Sequence, residues 1–268
     1  MPIQRIVVLL TSTLMMLSPI SPSQAATLTA NEFERIFQGY QGAFILYDVE
    51  KNKTLRYNER QCNEPISPCS TFKIFNALVS LDAGVVKDEG TKLKWDGKKH
   101  DREELNKDHT LKSAMATSAV WYFQCLAGTL GKERMQRYLN RLHYGNEDMS
   151  SGLTTFWLGE DNSLKISPNE QVKFISKLAA GELPVSKRSM TITKEIIKLK
   201  ECNGAVLYGK TGTDGKGGKL TLGWFVGFVR KGGHDYVFAT NIKSEGGNAM
   251  GRTARAMTEQ ILHKMELI

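Results

Sequence analysis

Ser70 and Lys73 stand three residues apart in Ser70-Thr71-Phe72-Lys73, a spacing that on a helix puts both side chains on one face, one turn apart. A serine hydroxyl is a weak nucleophile near neutral pH and needs an adjacent base. A lysine can be that base only where its charged form is disfavoured. Phe72, Ile74 and Phe75 provide apolar surroundings that would do this. Taken alone, the four residues fit an N-cap serine followed by a solvated lysine equally well. Downstream, Ser118-Ala119-Val120 and Lys210-Thr211-Gly212 add a second hydroxyl, a second amine and a glycine beside which a ligand can approach the backbone closely.

These groups need a scaffold. Gly42 to Val49 is a strand-like run, Lys51-Asn52-Lys53 a turn and Thr54 to Tyr57 a returning strand, which predicts a hairpin. Leu220 to Val229 and Tyr236 to Lys243, separated by Lys231-Gly232-Gly233, predict two further strands, and Asn248 to Met265 a closing helix. Between these ends the pattern is helical. Ser70 to Asp82 carries apolar residues at Phe72, Phe75, Ala77, Leu78 and Leu81, stopped by Gly84. Ser167-Pro168-Asn169-Glu170 combines an N-cap serine, a first-turn proline and a capping-box glutamate, with Gly181 as the stop. The expected class is α+β: an antiparallel sheet built from both chain ends and flanked by terminal helices, with an inserted all-helical lobe. Residues 26–268 form one domain, with 26–62 and about 186–268 as the sheet lobe and about 63–185 as the helical lobe.

Composition supports one globular unit: 268 residues, 41% hydrophobic and 24% charged. Residues 1–25 read as a secretory signal, with Arg5, an apolar run from Ile6 to Leu17 and a small-x-small site at Ser23-Gln24-Ala25. That run falls short of the ~20 residues a membrane helix needs, so export without stable membrane insertion is expected. The formal charge of +8 does not predict a nucleic-acid partner, because the lysines from Lys87 to Lys107 are interleaved with acids as on a solvated face. Cys62 and Cys69 could close a small loop before Ser70 in an oxidising compartment, and free buried thiols fit as well. No C-x-x-C, H-x-H or H-E-x-x-H pattern occurs, so no metal site is expected.

Taken together and in order, Ser70-Thr71-Phe72-Lys73, Ser118-Ala119-Val120, Tyr144-Gly145-Asn146, Trp157-Leu158 and Lys210-Thr211-Gly212 resemble the class D, oxacillinase-type, serine β-lactamases. Val120 is the discriminating position, since related groups carry asparagine there. The resemblance implies a β-lactamase/penicillin-binding transpeptidase-like fold and hydrolysis of penicillin-type antibiotics through an acyl-enzyme on Ser70, conferring resistance. It implies that carbon dioxide or bicarbonate carboxylates Lys73, which then serves as general base, with no other cofactor. Trp157, Val120 and Leu158 would form the carbamate pocket, and Ser118 and Lys210 would move a proton to the leaving nitrogen. The amides of Ser70 and Thr213 would make the oxyanion hole. Thr211, Gly212, Thr213 and Arg252 would bind the β-lactam, with Arg255 a competitor for its carboxylate, and Tyr144-Gly145-Asn146 would be a structural turn. Location would be periplasmic or secreted in a bacterium, with small-molecule β-lactams as the partners. Thr213, where an aromatic residue is common, and Cys69, where a small residue is common, depart from the family pattern. Two rivals stand beside this reading: a membrane-tethered β-lactam sensor that is acylated without useful turnover, and a D-alanyl-D-alanine peptidase.

Overall fold

The computed structural model describes residues 28–159, 162–216 and 218–268; the predicted signal at 1–25 lies outside the described residues. In chain order the helices are α1 (Ala30–Ile36), α2 (Glu59–Cys62), α3 (Phe72–Asp82), α4 (Leu111–Thr117), α5 (Val120–Leu130), α6 (Lys132–Leu142), α7 (Pro168–Ala180), α8 (Lys187–Ile196) and α9 (Gly251–Lys264). The strands are β1 (Gln41–Asp48), β2 (Lys53–Tyr57), β3 (Lys92–Leu93), β4 (His109–Thr110), β5 (Lys198–Cys202), β6 (Ala205–Lys216), β7 (Lys219–Lys231) and β8 (His234–Lys243). β3 and β4 pair as a small ribbon, and the other six form one antiparallel sheet in the order β2-β1-β8-β7-β6-β5. β1 lies directly against β8, with Ile45 opposite Ala239, so the two ends of the chain close a single sheet as expected.

Both faces of that sheet are covered, and the period-two alternation of β7 shows how. Trp224, Val226 and Phe228 join the larger core with Phe72, Phe75 and Ile175. Phe225 and Val229 join a smaller core with Phe33 of α1 and Ile261 and Leu262 of α9. α7 forms for the local reasons its sequence announces. The Ser167 side chain accepts from the Glu170 amide, Glu170 accepts from the Ser167 amide at 2.7 Å, and Gly181 closes the helix in the left-handed region.

Two expectations are corrected and one open alternative is decided. α3 begins at Phe72, and Ser70 lies in a preceding 3-10 turn, Cys69–Thr71, because the Thr71 amide donates to the Pro68 carbonyl at 3.1 Å. The helical lobe extends past residue 185: α8 packs against α3 and α4, burying Met190 and Ile196 in the larger core. Cys62 and Cys69 are not joined to each other. The Cys62 thiol faces the Phe44 and Tyr57 carbonyls, and the Cys69 thiol donates to the Ser67 carbonyl.

The Tyr144-Gly145-Asn146 turn clamps the loop that carries Trp157. The Asn146 amide donates to the Lys165 carbonyl and the Lys165 amide to Asn146 Oδ1, both at 2.9 Å. Asn146 Nδ2 donates to the Ser163 carbonyl at 2.8 Å. Gly145 has φ of 57°, and a Cβ there would run into the Lys165 carbonyl oxygen. Gly145→Ala should therefore lose roughly 2 kcal/mol of unfolding free energy or more through left-handed strain and collision. Urea titration of both proteins measures it.

Candidate active site

The turn that presents Ser70 is braced from several elements. Trp224 Nε1 on β7 donates to the Ser67 carbonyl at 2.9 Å, and Ser67 Oγ donates to the Trp157 carbonyl at 3.3 Å. Gln171 Nε2 on α7 donates to Thr71 Oγ1 at 2.8 Å, and that hydroxyl donates to the Pro68 carbonyl at 2.6 Å. Cys69 holds φ at 51°, a conformation that a non-glycine residue keeps only where its surroundings enforce it. Ser70 emerges half-buried from this frame.

One turn further on, Lys73 Nζ lies 2.6 Å from Ser70 Oγ and is fully buried. The Phe123 ring centroid is 5.8 Å away. Burial first, then the nearby charges of Lys210 and Arg102, push its pKa well below the ordinary lysine value. A charged amine cannot keep its hydration here, so the site favours the neutral form with a free lone pair. Trp157, stacked on Phe72 at 5.0 Å between centroids, has its indole N–H buried with no hydrogen-bond partner among the described residues. An orphaned buried donor is costly, and it suits an added acceptor. A carboxylated Lys73 offers one, so the residues present fit that group.

The opposite wall is β6. β5 pairs with it only as far as Tyr208, so the segment from Lys210 to Thr213 turns its outer edge towards the Ser70 turn. A Cβ at Gly212 would stand 3.2 Å from the Pro68 carbonyl oxygen and 3.3 Å from Cys69 Cβ, so a side chain there would press on the Ser70 turn. Lys210 Nζ donates to the Thr211 carbonyl at 3.0 Å. Burial and the Arg102 charge lower its pKa to about 7. Thr213 Oγ1 accepts from the Gly251 amide at 2.9 Å, and a Cβ at Gly251 would come within 2.8 Å of Thr211 Cβ. The start of α9 is thus seated against the strand.

A cavity of about 410 Å³ opens over these groups, walled by Ser70, Ser118, Val120, Thr211, Thr213 and Arg252. Ser118 caps α4 in the left-handed region, with its hydroxyl buried and unpartnered among the described residues. Val120 starts α5. Arg252 lines the cavity, whereas Arg255 Nε donates to Glu259 at 2.7 Å and its guanidinium lies over Phe225. Leu158 packs against the larger core beside Trp157. Phe123, Met250 and Arg102 were missed from sequence. Phe123 follows Val120 by one helical turn and was findable by that spacing. Arg102 sits in a stretch that reads as solvated surface, and nothing local marks it.

Residues 38–263 match the family described as the penicillin binding protein transpeptidase domain. The probable β-lactamase YbxI of Bacillus subtilis is 46% identical over 235 residues, covering 87% of this chain and 84% of that protein. A class D β-lactamase crystal structure from Bacillus subtilis superposes with a TM-score of 0.83 at 43% identity, covering 90% of this chain and 99% of that one. The chain belongs to the class D β-lactamase family. Regulatory protein BlaR1 of Bacillus licheniformis is 38% identical over 83% of this chain but only 36% of its own length, so the class D fold also occurs inside a larger regulatory protein. No helix among the described residues is long and apolar enough to cross a membrane.

Lys210 gives this class D site a stability signature. The folded chain releases its proton near 7, the unfolded chain near 10.5. Between those values the unfolded state binds more protons, so stability rises with pH across that window and is insensitive to this group outside it. Urea unfolding at pH 7 and pH 10 should show a smaller alkaline gain in Lys210→Met than in the parent protein.

Proposed function

We propose that this class D β-lactamase hydrolyses the lactam ring of penicillin-type antibiotics through an acyl-enzyme on Ser70, with the buried Lys73 side chain as the base. The observation that carries this reading is Lys73 Nζ, fully buried and 2.6 Å from Ser70 Oγ. Carbon dioxide adding to the neutral amine would supply a carboxylated lysine as general base, with Trp157 Nε1 holding an oxygen and Val120, Leu158 and Phe123 keeping the group dry.

Ser70 Oγ attacks the lactam carbonyl carbon as its proton passes towards the Lys73 side chain. The Ser70 turn and the free edge of β6 at Thr213 offer amides to the developing oxyanion. The lactam C–N bond breaks, and the Ser118 hydroxyl gives the nitrogen a proton that Lys210 can replace, its pKa of about 7 letting it exchange protons at neutral pH. Water then attacks the ester carbonyl as its proton passes towards the Lys73 side chain, the C–O bond to Ser70 breaks with that proton returned to Oγ, and the ring-opened acid leaves with Ser70 regenerated. Thr211, Gly212 and Thr213 line the approach, and Arg252 takes the substrate carboxylate through its paired N–H donors. Export to the periplasm or medium and a contribution to antibiotic resistance are part of the same proposal.

The similarity to BlaR1 supports one rival, a sensor acylated without turnover. Mass spectrometry after mixing with benzylpenicillin separates them: a transient adduct at Ser70 and product accumulation accelerated by bicarbonate are expected, whereas a persistent adduct sinks hydrolysis. Ser70→Ala should form no adduct, and Lys73→Ala should lose at least a hundredfold in turnover, the low end for a positioned base. Trp157→Phe should raise the bicarbonate concentration needed for half-maximal rate. Full turnover in Lys73→Ala would overturn the assigned base.

A further inference from the structure

The cavity wall carries a charged group to which the steps above assign no contact with substrate. Arg102 lines the cavity with Ser70, Ser118 and Arg252. Its Nη2 donates to the Thr117 carbonyl at 2.7 Å, one residue before Ser118, which fixes the guanidinium at the rim beside the proton-relay serine. Its Nη1 stands 3.3 Å from Glu104, with the two side chains 52% and 49% exposed. An ion pair this open to water is weak and releases its arginine at small cost. The Arg102 charge also acts on both site lysines, depressing the pKa of each, so its field is directed into the site. Among the described residues that wall the cavity there is no aspartate or glutamate. Two guanidiniums therefore face one pocket, and a substrate with a single carboxylate answers only one of them.

We infer that Arg102 is a second anion-recognition group, and that the site favours β-lactams carrying two negative charges, the ring carboxylate on Arg252 and an acidic acyl side chain on Arg102. This rests on the reading of Ser70 as the acylated nucleophile. Arginine suits the task because its planar fork keeps one nitrogen on the Thr117 carbonyl while another edge receives a carboxylate or sulfonate. Glu104 then acts as an exchangeable counter-ion that an anionic substrate displaces.

The test compares the second-order rate constant for Ser70 acylation by benzylpenicillin and by its α-carboxy analogue, which share one nucleus and differ by one charge. Acylation is read by mass spectrometry, so the comparison works whether or not the adduct turns over. The ratio of dianion to monoanion rates should fall about tenfold in Arg102→Gln, the scale of one partly exposed charge-assisted hydrogen bond. Arg102→Lys, which keeps the charge and loses the planar fork, should give a ratio between those of the unaltered protein and Arg102→Gln. In the unaltered protein it should decline as salt rises from 0.05 to 0.5 M, because the contact is screened. A ratio unmoved by Arg102→Gln, or insensitive to salt in the unaltered protein, overturns the inference. Failure of the α-carboxy analogue alone overturns the inference, whereas failure of both penicillins to acylate Ser70 overturns the underlying reading and takes this inference with it.

Discussion

The arrangement depends on one constraint: an amine with no water around it cannot hold a proton cheaply. Burying an ionised lysine costs several kcal/mol even after relaxation, and Lys73 is fully buried at the start of α3 with its Nζ against Ser70. The protein keeps the lysine there by surrounding it with groups that are themselves core. Phe72 stacks on Trp157, packs edge-on against Phe156 at 5.1 Å and meets Tyr144 at 5.7 Å. Dryness at the Lys73 amine and stability of the helical lobe are thus the same contacts. A change that loosened them would favour the charged lysine and soften the fold together.

That constraint divides the site into two unlike halves. On the side of α3, α5 and the Trp157 loop the walls are apolar and burial pushes the Lys73 pKa well below the ordinary lysine value. On the side of β6 and the start of α9 the groups are polar and cationic, with Lys210 poised near neutrality and Arg252 at the mouth. The nucleophile stands at the seam, where Gly212 lets the strand edge approach the turn and Thr213 ties α9 to the strand. An amine kept neutral and a cation kept charged need unlike dielectric surroundings, and Lys73 and Arg252 have them on opposite sides of one cavity.

Much of this was legible in the order of residues, for local reasons. The hairpin of β1 and β2, the strands β7 and β8, and α7 with its Ser167 cap and Gly181 stop follow from periodicity and end signals that involve neighbours within one turn. The motifs around Ser70, Ser118 and Lys210 were visible because each is contiguous. What escaped was non-local. Ser70 in a 3-10 turn rather than in α3 depends on a left-handed Cys69 held by packing. The assignment of α8 to the helical lobe depends on which core its Met190 and Ile196 face. The separation of the Cys62 and Cys69 thiols depends on β1 and β2 offering carbonyls to one and not to the other.

The chain's chemistry, its division into a two-ended sheet with a helical insert, and its family were carried by residue types and spacings, because a hydroxyl, an amine and a strand pattern are properties of short segments. The placing of Arg252 on the cavity and of Arg255 against Glu259, the appearance of Arg102 at the cavity rim and the orphaned indole N–H of Trp157 were decided only by folding. Each is a matter of which side chain ends up facing the same few hundred cubic ångströms. Direction and burial are set by contacts between segments far apart in sequence, and a burial-driven pKa belongs to the assembled pocket rather than to any residue in it.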